Sequence, residues 1–382
     1  MGRLTVGVTL GTLVFLAAGG VQGFAQAPPS AQVDPLWPKP LPNHWILGSV
    51  TGVAVDGRNH VWVVHRGGAS LHPGTEAALR ATPPGAEYCC TAAPYVLEFD
   101  AEGALVSHWG GPAPGYSWPL SPGAMAIDAG GNVWITAAGL PPAAAAGRGG
   151  PVTTPPPEDA HVLKFSREGK FLLQIGKPGE LGSPDSRTGL NRPAGVEVDT
   201  ASNEVFVADT GNRRIVVFDA MTGAYKRQWG AYGSPPDATP PPAYAPGTPA
   251  ASQFRAPSCV ALTRTGEVFV CDRESNRIQV FKKDGTFVRE AVVSSTSLGS
   301  GSVWDVAFSS DSGQRFVYVA NGQEQTVHVL RRDTLAEIGA IGAGGRWPGY
   351  FFGVGSVAVN AQGHLITGES LQGKRVQKFV VK

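Results

Sequence analysis

Six times along the chain, a short alternating strand is followed by a tight turn and a second strand of similar make-up. The first strands read VAVD from Val53, MAID from Met125, VEVD from Val196, VALT from Val260, VAFS from Val306 and VAVN from Val357. The second strands read VWVVH from Val61, VWITA from Val133, VFVAD from Val205, VFVCD from Val268, VYVAN from Val317 and LITGE from Leu365. Alternation with period two marks half-buried strands. Third strands come next as YVLEFD, HVLKFS, RIVVFD, RIQVFK, TVHVLR and RVQKFV, and fourth strands as ALVSHWG, KFLLQIG, AYKRQWG and two less regular versions. Four antiparallel strands recurring in this way describe a propeller blade. The expected fold is an all-β, six-bladed propeller with blades starting near residues 50, 122, 193, 257, 303 and 354.

The sixth repeat reaches Lys382 directly after its third strand, so its outer strand must come from elsewhere. NHWILG at 43–48 ends in the same aromatic, apolar, Gly pattern as SHWG and RQWG. The last blade is therefore expected to be closed by this N-terminal strand, which removes an edge open to pairing with another chain.

Composition agrees with an all-β chain. Among 382 residues there are 51 Gly and 32 Pro, and only 16% are charged, against an average of roughly 25%. Lys and Arg are scattered and the formal net charge is +1, so the basic footprint that nucleic acid requires is missing. Residues 1–25 read as an export signal, with Arg3, an apolar run from Leu4 to Ala18, and Gly23-Phe24-Ala25 as a cleavage site. The run is interrupted by Thr9, Gly11 and Thr12, so no stable membrane span is expected once the signal is removed. Residues 26–382 then form one domain in a periplasmic or extracellular setting, where Cys89, Cys90, Cys259 and Cys271 can pair. Four cysteines allow three connectivities, and their spacing is not that of a zinc site. Adjacency argues against a Cys89–Cys90 bridge and for partners elsewhere or free thiols.

FVADTGNRRIVVF and FVCDRESNRIQVF resemble NHL repeats, with an Asp closing the second strand and an Arg opening the third. Asp209 with Arg214 and Asp272 with Arg277 are expected to pair across their hairpins as structural clamps. VVHRGG at 63–68 and CDRESNRIQVF at 271–281 are similar to the lyase domain that completes peptide amidation and to its secreted bacterial relatives. That resemblance implies a zinc held by three histidines near the starts of first strands in alternate blades, with arginines and a tyrosine acting on the substrate. Arg66 and Arg273 occupy the two arginine positions. The three histidine positions fall on Gly123, Ser258 and Gly355, and the tyrosine position on Thr210-Gly211. His60 and His364 lie in turns of the opposite face, His108 in an outer strand and His328 in mid-strand, so they do not replace the missing ligands. His65 and His161 approach the mouth and His72 lies in the loop 67–93, a set that does not amount to a trihistidine site. A zinc-dependent lyase is thus disfavoured and no cofactor is expected.

Strand direction gathers the loops between second and third strands, and those between blades, on one face, here called the top. The long insertions 67–93, 138–160 and 231–253 all fall there, and loops of this length are commonly functional or disordered. The same face receives His65, Asp209, Asp272, Asn321 and Glu369, with Arg66 and Arg273 one step beyond. These seven are the candidate ligand-binding residues. Arg66 and Arg273 are the strongest, since guanidinium forks suit an anionic or carbonyl group. Asp209, Asp272, Asn321 and Glu369 offer hard oxygens for calcium as a minor alternative. The expected role is an exported module that binds an anionic or peptide-like ligand, or a protein partner, through its top face. The alternative is a lyase- or hydrolase-like enzyme using Arg66 and Arg273 with a relocated metal.

Overall fold

The computed structural model describes residues 1–2, 28–71, 76, 90–139 and 159–382. The expected export signal beyond residue 2, most of the 67–93 insertion and nearly all of 138–160 lie outside these residues. Among the described residues, no helix is long and apolar enough to cross a membrane.

Six four-stranded antiparallel sheets succeed one another around a ring. Their first strands are Val50–Val55, Pro122–Ile127, Pro193–Asp199, Pro257–Leu262, Asp305–Phe308 and Val354–Val359. Each packs against the next, and the sixth packs against the first, so these strands line a central axis. The fifth begins at Asp305 rather than near 303, although Trp304 N–H already bonds Ala320 O at 2.9 Å.

The core is divided into one cluster per blade interface. Trp62, Val64 and Val96 of blade 1 meet Met125, Leu163 and Phe165 of blade 2, and Phe269, Cys271 and Val280 of blade 4 meet Val306, Val317 and Val319 of blade 5. Each sheet therefore buries both faces. This revises the expected half-burial: second strands such as Val61–His65 and Val133–Ala137 are buried at every residue. Only outer strands such as Leu105–Trp109 alternate with solvent.

On the bottom face, charged side chains tie neighbouring blades. Arg167 of blade 2 bonds Asp56 at 2.7 Å and also Glu98, both of blade 1. Lys283 of blade 4 bonds Asp199 of blade 3, and Arg332 of blade 5 reaches Glu267 of blade 4 at 2.6 Å. Blades 6 and 1 are joined by Asn59 Nδ2 donating to Gln362 Oε1 at 2.8 Å. Within blade 4, Cys259 and Cys271 are register partners on adjacent strands and form a disulfide. Cys90 is disulfide-bonded as well, and Cys89 lies outside the described residues.

The last blade is closed by an N-terminal strand, as expected, but a different one. Ala31–Asp34 pairs antiparallel with Val376–Val381, from Ala31↔Val381 to Asp34↔Lys378. Ala31 and Val33 pack on the core beside Phe379, and Lys378 Nζ pairs with Asp34 at 2.8 Å. NHWILG does not serve this role, because Asn43 and His44 both sit at φ 54°, a left-handed conformation that breaks an extended run. Its short extended piece, Trp45–Ile46, instead pairs in parallel with Thr91–Ala92. A protein lacking residues 28–34 is expected to lose about 1–2 kcal/mol from the partly buried Ala31 and Val33 side chains, with the strand pairing in addition, and to melt several degrees lower. An unchanged melting temperature in calorimetry would refute this assignment of the closing strand.

Candidate functional site

The axis opens at the top into a cavity of about 350 Å³. Its uppermost lining includes Arg66, Ala138, Arg273 and Ser370. These four are equivalent positions: each comes directly after a second strand and donates its backbone N–H to the residue just before the same blade's first strand, namely Ser49, Ser121, Ala256 and Gly353, at 2.7–3.1 Å. Blades 1 and 4 are opposite in a six-membered ring, so Arg66 and Arg273 face the cavity from opposite sides. The Arg273 guanidinium lies 4.9 Å from the centre of the Trp304 ring, and its nearest acid is Glu274, at 3.8 Å and half exposed. Its Nε is buried without a hydrogen-bond partner. Burial lowers the Arg273 pKa.

The other five candidate residues are absent from the cavity lining; each is fully buried and committed to its own blade. His65 Nδ1 accepts the N–H groups of Gly48 and Gly67, each at 3.0 Å, and Nε2 donates to Pro94 O at 2.7 Å. Burial pushes its pKa down to about 4, so the ring is neutral. Asp209 accepts from Asn191 N–H at 2.7 Å and pairs with Arg214 at 2.8 Å. Asp272 accepts from the N–H groups of Arg255 and Ala256 and pairs with Arg277 at 2.9 Å. Both expected Asp–Arg clamps are present. Glu369 accepts from Phe352 N–H at 2.8 Å and pairs with Arg375. Asn321 Oδ1 accepts from Gln323 and Glu324 N–H, while its Nδ2 bonds His328 Nε2.

The calcium alternative fails on this geometry, because its four oxygen donors are turned into four separate blades. Among the described residues, three metal-competent side chains converge only at Asp56, His60 and Glu98. That group is on the bottom face, and the Arg167 guanidinium fills it. Zinc does not fit the family positions either. Gly123, Ser258 and Gly355 do line the cavity, but the Ser258 hydroxyl is directed to the carbonyls of Val303 and Trp304. A Cβ on Gly123 would lie 2.4 Å from Thr136 Oγ1, and one on Gly355 would lie 2.3 Å from Ser370 Oγ. The space a histidine needs has been filled from one second strand and from directly after another.

Two further cavity residues were not singled out from the sequence. Glu197 of blade 3 and Asp305 of blade 5 line the same cavity. Asp305 accepts from the N–H groups of Val306 and Val357, each at 2.9 Å. Removal from bulk water raises both carboxyls to about 7, and for Glu197 the charge of Asp305 adds to the rise. The signal was legible in the repeat: the positions matching Glu197 are Ala54, Ala126, Ala261, Ala307 and Ala358. A lone acid among alanines on an axial strand has no packing reason to be there.

Comparison with known proteins agrees with this architecture. The NHL repeat model matches residues 190–218 and 254–281, the hairpin regions of blades 3 and 4. The chain is a six-bladed propeller whose third and fourth blades match the NHL repeat. It is 29% identical over 254 residues to peptidylglycine alpha-amidating monooxygenase of Rattus norvegicus, covering 64% of this chain and 22% of that protein. It is also 34% identical over 116 residues to the protein brain tumor of Drosophila melanogaster, covering 30% of this chain and 9% of that one. The chain thus spans less than a quarter of the length of these relatives. Among solved structures, one titled as a streptogramin B lyase superposes with a TM-score of 0.53 at 12% identity, covering 93% of this chain and 98% of that one. A protein of unknown function from Bacteroides thetaiotaomicron superposes at 0.52, also at 12% identity, covering 88% and 70%. Both structural likenesses concern the fold.

The carboxyl pair gives the propeller a definite pH response. An acid whose pKa is raised on folding keeps its proton between its unfolded value, about 4, and its folded value, so its contribution is full below the first. It is lost as pH rises through about 7, where Glu197 and Asp305 must ionise inside the cavity. His65 acts in the opposite sense, contributing above about 6.5 and losing its contribution as pH falls toward about 4. The double variant Glu197→Gln, Asp305→Asn is therefore expected to lose less melting temperature than the parent between pH 5.5 and pH 8. Parallel pH–melting curves for the two proteins would overturn the assignment.

Proposed function

We propose that this propeller is an exported binding module whose top mouth grips an anionic or peptide-like ligand between Arg66 and Arg273. The observation that carries the reading is the placement of these two arginines on opposite sides of one cavity, whose neighbouring acids Asp209 and Asp272 are already neutralised by Arg214 and Arg277. Guanidinium groups on two sides favour a ligand whose oxyanion or carbonyl oxygens can be held from both. The Trp304 ring beneath Arg273 keeps that fork oriented and offers an apolar wall. Export rests on the Arg3, Leu4–Ala18 and Gly23-Phe24-Ala25 pattern. N-terminal sequencing of the secreted or periplasmic protein tests it, and a chain retaining its first residues would count against it.

A second reading is an amidating-lyase-like or hydrolase-like enzyme. It is favoured by the relatives named amidating monooxygenase and by Glu197 and Asp305, whose carboxyls near 7 suit a group that takes or holds a proton at neutral pH. Its family zinc has no place here, since the histidine positions are blocked, and a relocated metal would need a new ligand set.

Replacing Arg66 or Arg273 with Ala is expected to weaken binding of the best ligand from a screen of acidic peptides and small carboxylates by at least about tenfold, the equivalent of one charge-assisted contact. The melting temperature is expected to stay within about 2 °C of the parent. Lowered stability with unaltered affinity would instead make the arginines structural. Stoichiometric zinc retained after dialysis, with turnover of a peptidyl hydroxyglycine, would replace the binding reading by the enzymatic one.

A further inference from the structure

A second cavity, of about 500 Å³, opens on the top face where the 231–253 insertion folds over the connection from blade 4 to blade 5. Tyr244 anchors the insertion by donating its hydroxyl to Ser295 O at 2.6 Å. The cavity wall includes Arg213, Arg255, Ser297, Leu298 and Glu274. Two of its polar atoms, Arg255 Nε and Ser297 Oγ, are buried without hydrogen-bond partners. Ser297 is only 5% exposed. A buried donor left unmatched is costly and calls for a partner, and here both atoms belong to residues that line one cavity with room for far more than a single water.

The rest of the wall narrows what that partner is. Arg213 places one N–H on Ala238 O at 3.1 Å, and its charge is felt by Asp237. Glu274 is half exposed and turned toward Arg273. Among the described residues Arg255 forms no ion pair, and its hydrogen bond is made by its backbone N–H to Asp272. The unmatched groups are thus a guanidinium N–H and a hydroxyl, which together suit an oxyanion. Beside them stand Pro240, Pro241 and Leu298, the last 59% exposed. An apolar surface adjoining a donor pair suits a carboxylate carried on a hydrocarbon group.

We propose that this cavity is a second anion site, taking a carboxylate borne on an apolar chain through Arg255 and Ser297. It is separate from the central cavity and does not depend on the role of Arg66. The two cavities share a wall, since Arg273 lines one and Glu274 the other.

The test titrates the folded protein with hexanoate, hexanamide and inorganic phosphate while monitoring backbone amide resonances. Hexanoate is expected to shift the amides of Ser297 and Gly299 in a saturable way, and hexanamide to bind at least about tenfold more weakly. Arg255→Gln should weaken the hexanoate response of Ser297 and Gly299 by a similar factor, and Ser297→Ala should weaken it a few-fold. Arg255→Lys, which keeps the charge, guards against a Gln variant that fails to fold and should retain part of the affinity. Equal binding of hexanoate and hexanamide, a response to phosphate alone, or hexanoate binding untouched in the Arg255 variants would each overturn the proposal. A cavity holding water only would show no saturable shift and would overturn it too.

Discussion

The fold depends on a buried acceptor at the top end of the second strands. The chain enters a blade one or two residues before its first strand, where a backbone N–H is out of reach of the ladder and shielded from solvent, so it needs a partner. His65 supplies one for Gly48, Asp209 for Asn191, Asp272 for Arg255 and Ala256, and Glu369 for Phe352. Blade 2 meets the same need from a different element, with Asp159 accepting from Leu120 and Ser121. The side-chain type varies because only a correctly placed lone pair is needed. That type in turn sets the counter-charge. Where the second strand ends in a carboxylate, an arginine opens the third strand: Arg214, Arg277 and Arg375. Where it is the neutral His65, Tyr95 stands there instead. Removing one partner of a fully buried pair, as Asp209–Arg214 and Asp272–Arg277 are, typically costs roughly 3–5 kcal/mol, so these clamps are part of the fold rather than an embellishment of it.

This constraint decides what the mouth can present. Acids that look from sequence like a ring around the axis are turned into their own blades and neutralised there, so they do not define the charge of the opening. That is left to the residue one step further on, which bonds the chain through its backbone and is therefore free to be any side chain. Arg66, Ala138, Arg273 and Ser370 share that position, and only two of them carry charge. Arg213 from the blade 3 hairpin and Arg255 just ahead of blade 4 add to the same face. The result is four arginines gathered at or beside the mouth of a chain whose formal net charge is only +1.

The six blades were legible because the repeat is carried by local patterning, and so were the Asp–Arg clamps of blades 3 and 4, which lie five residues apart on one hairpin. The closing strand was not. AQVD is too short and plain to stand out, and it is selected by its match to Val376–Val381, a pairing distant in sequence. NHWILG resembles an outer strand in composition, but Asn43 and His44 adopt left-handed backbone that composition does not reveal. His65 and Glu369 were misread for a related reason. A polar residue at a strand end has the same sequence signature whether it faces a ligand or a backbone N–H, and only burial separates the two. Glu197, in contrast, was available to a column-by-column reading of the first strands.

At Gly123, Ser258 and Gly355, the misfit with a zinc-binding histidine set is more than a matter of three substituted residues. Thr136 in one second strand and Ser370 directly after another occupy the volume that side chains at 123 and 355 would need, so restoring histidine there would require neighbouring positions to change as well. With that tier closed, the ionisable groups of the cavity lie at two levels, cationic at the mouth and carboxylic on the axial strands. The lower pair is held partly protonated near neutral pH because removal from bulk water disfavours both charged forms, and for Glu197 the charge of Asp305 adds to the rise. An anion at the mouth therefore meets little repulsion from below until the pair ionises. The same burial that makes Glu197 and Asp305 unfavourable as charges keeps the cavity compatible with the anionic ligand proposed for its arginines.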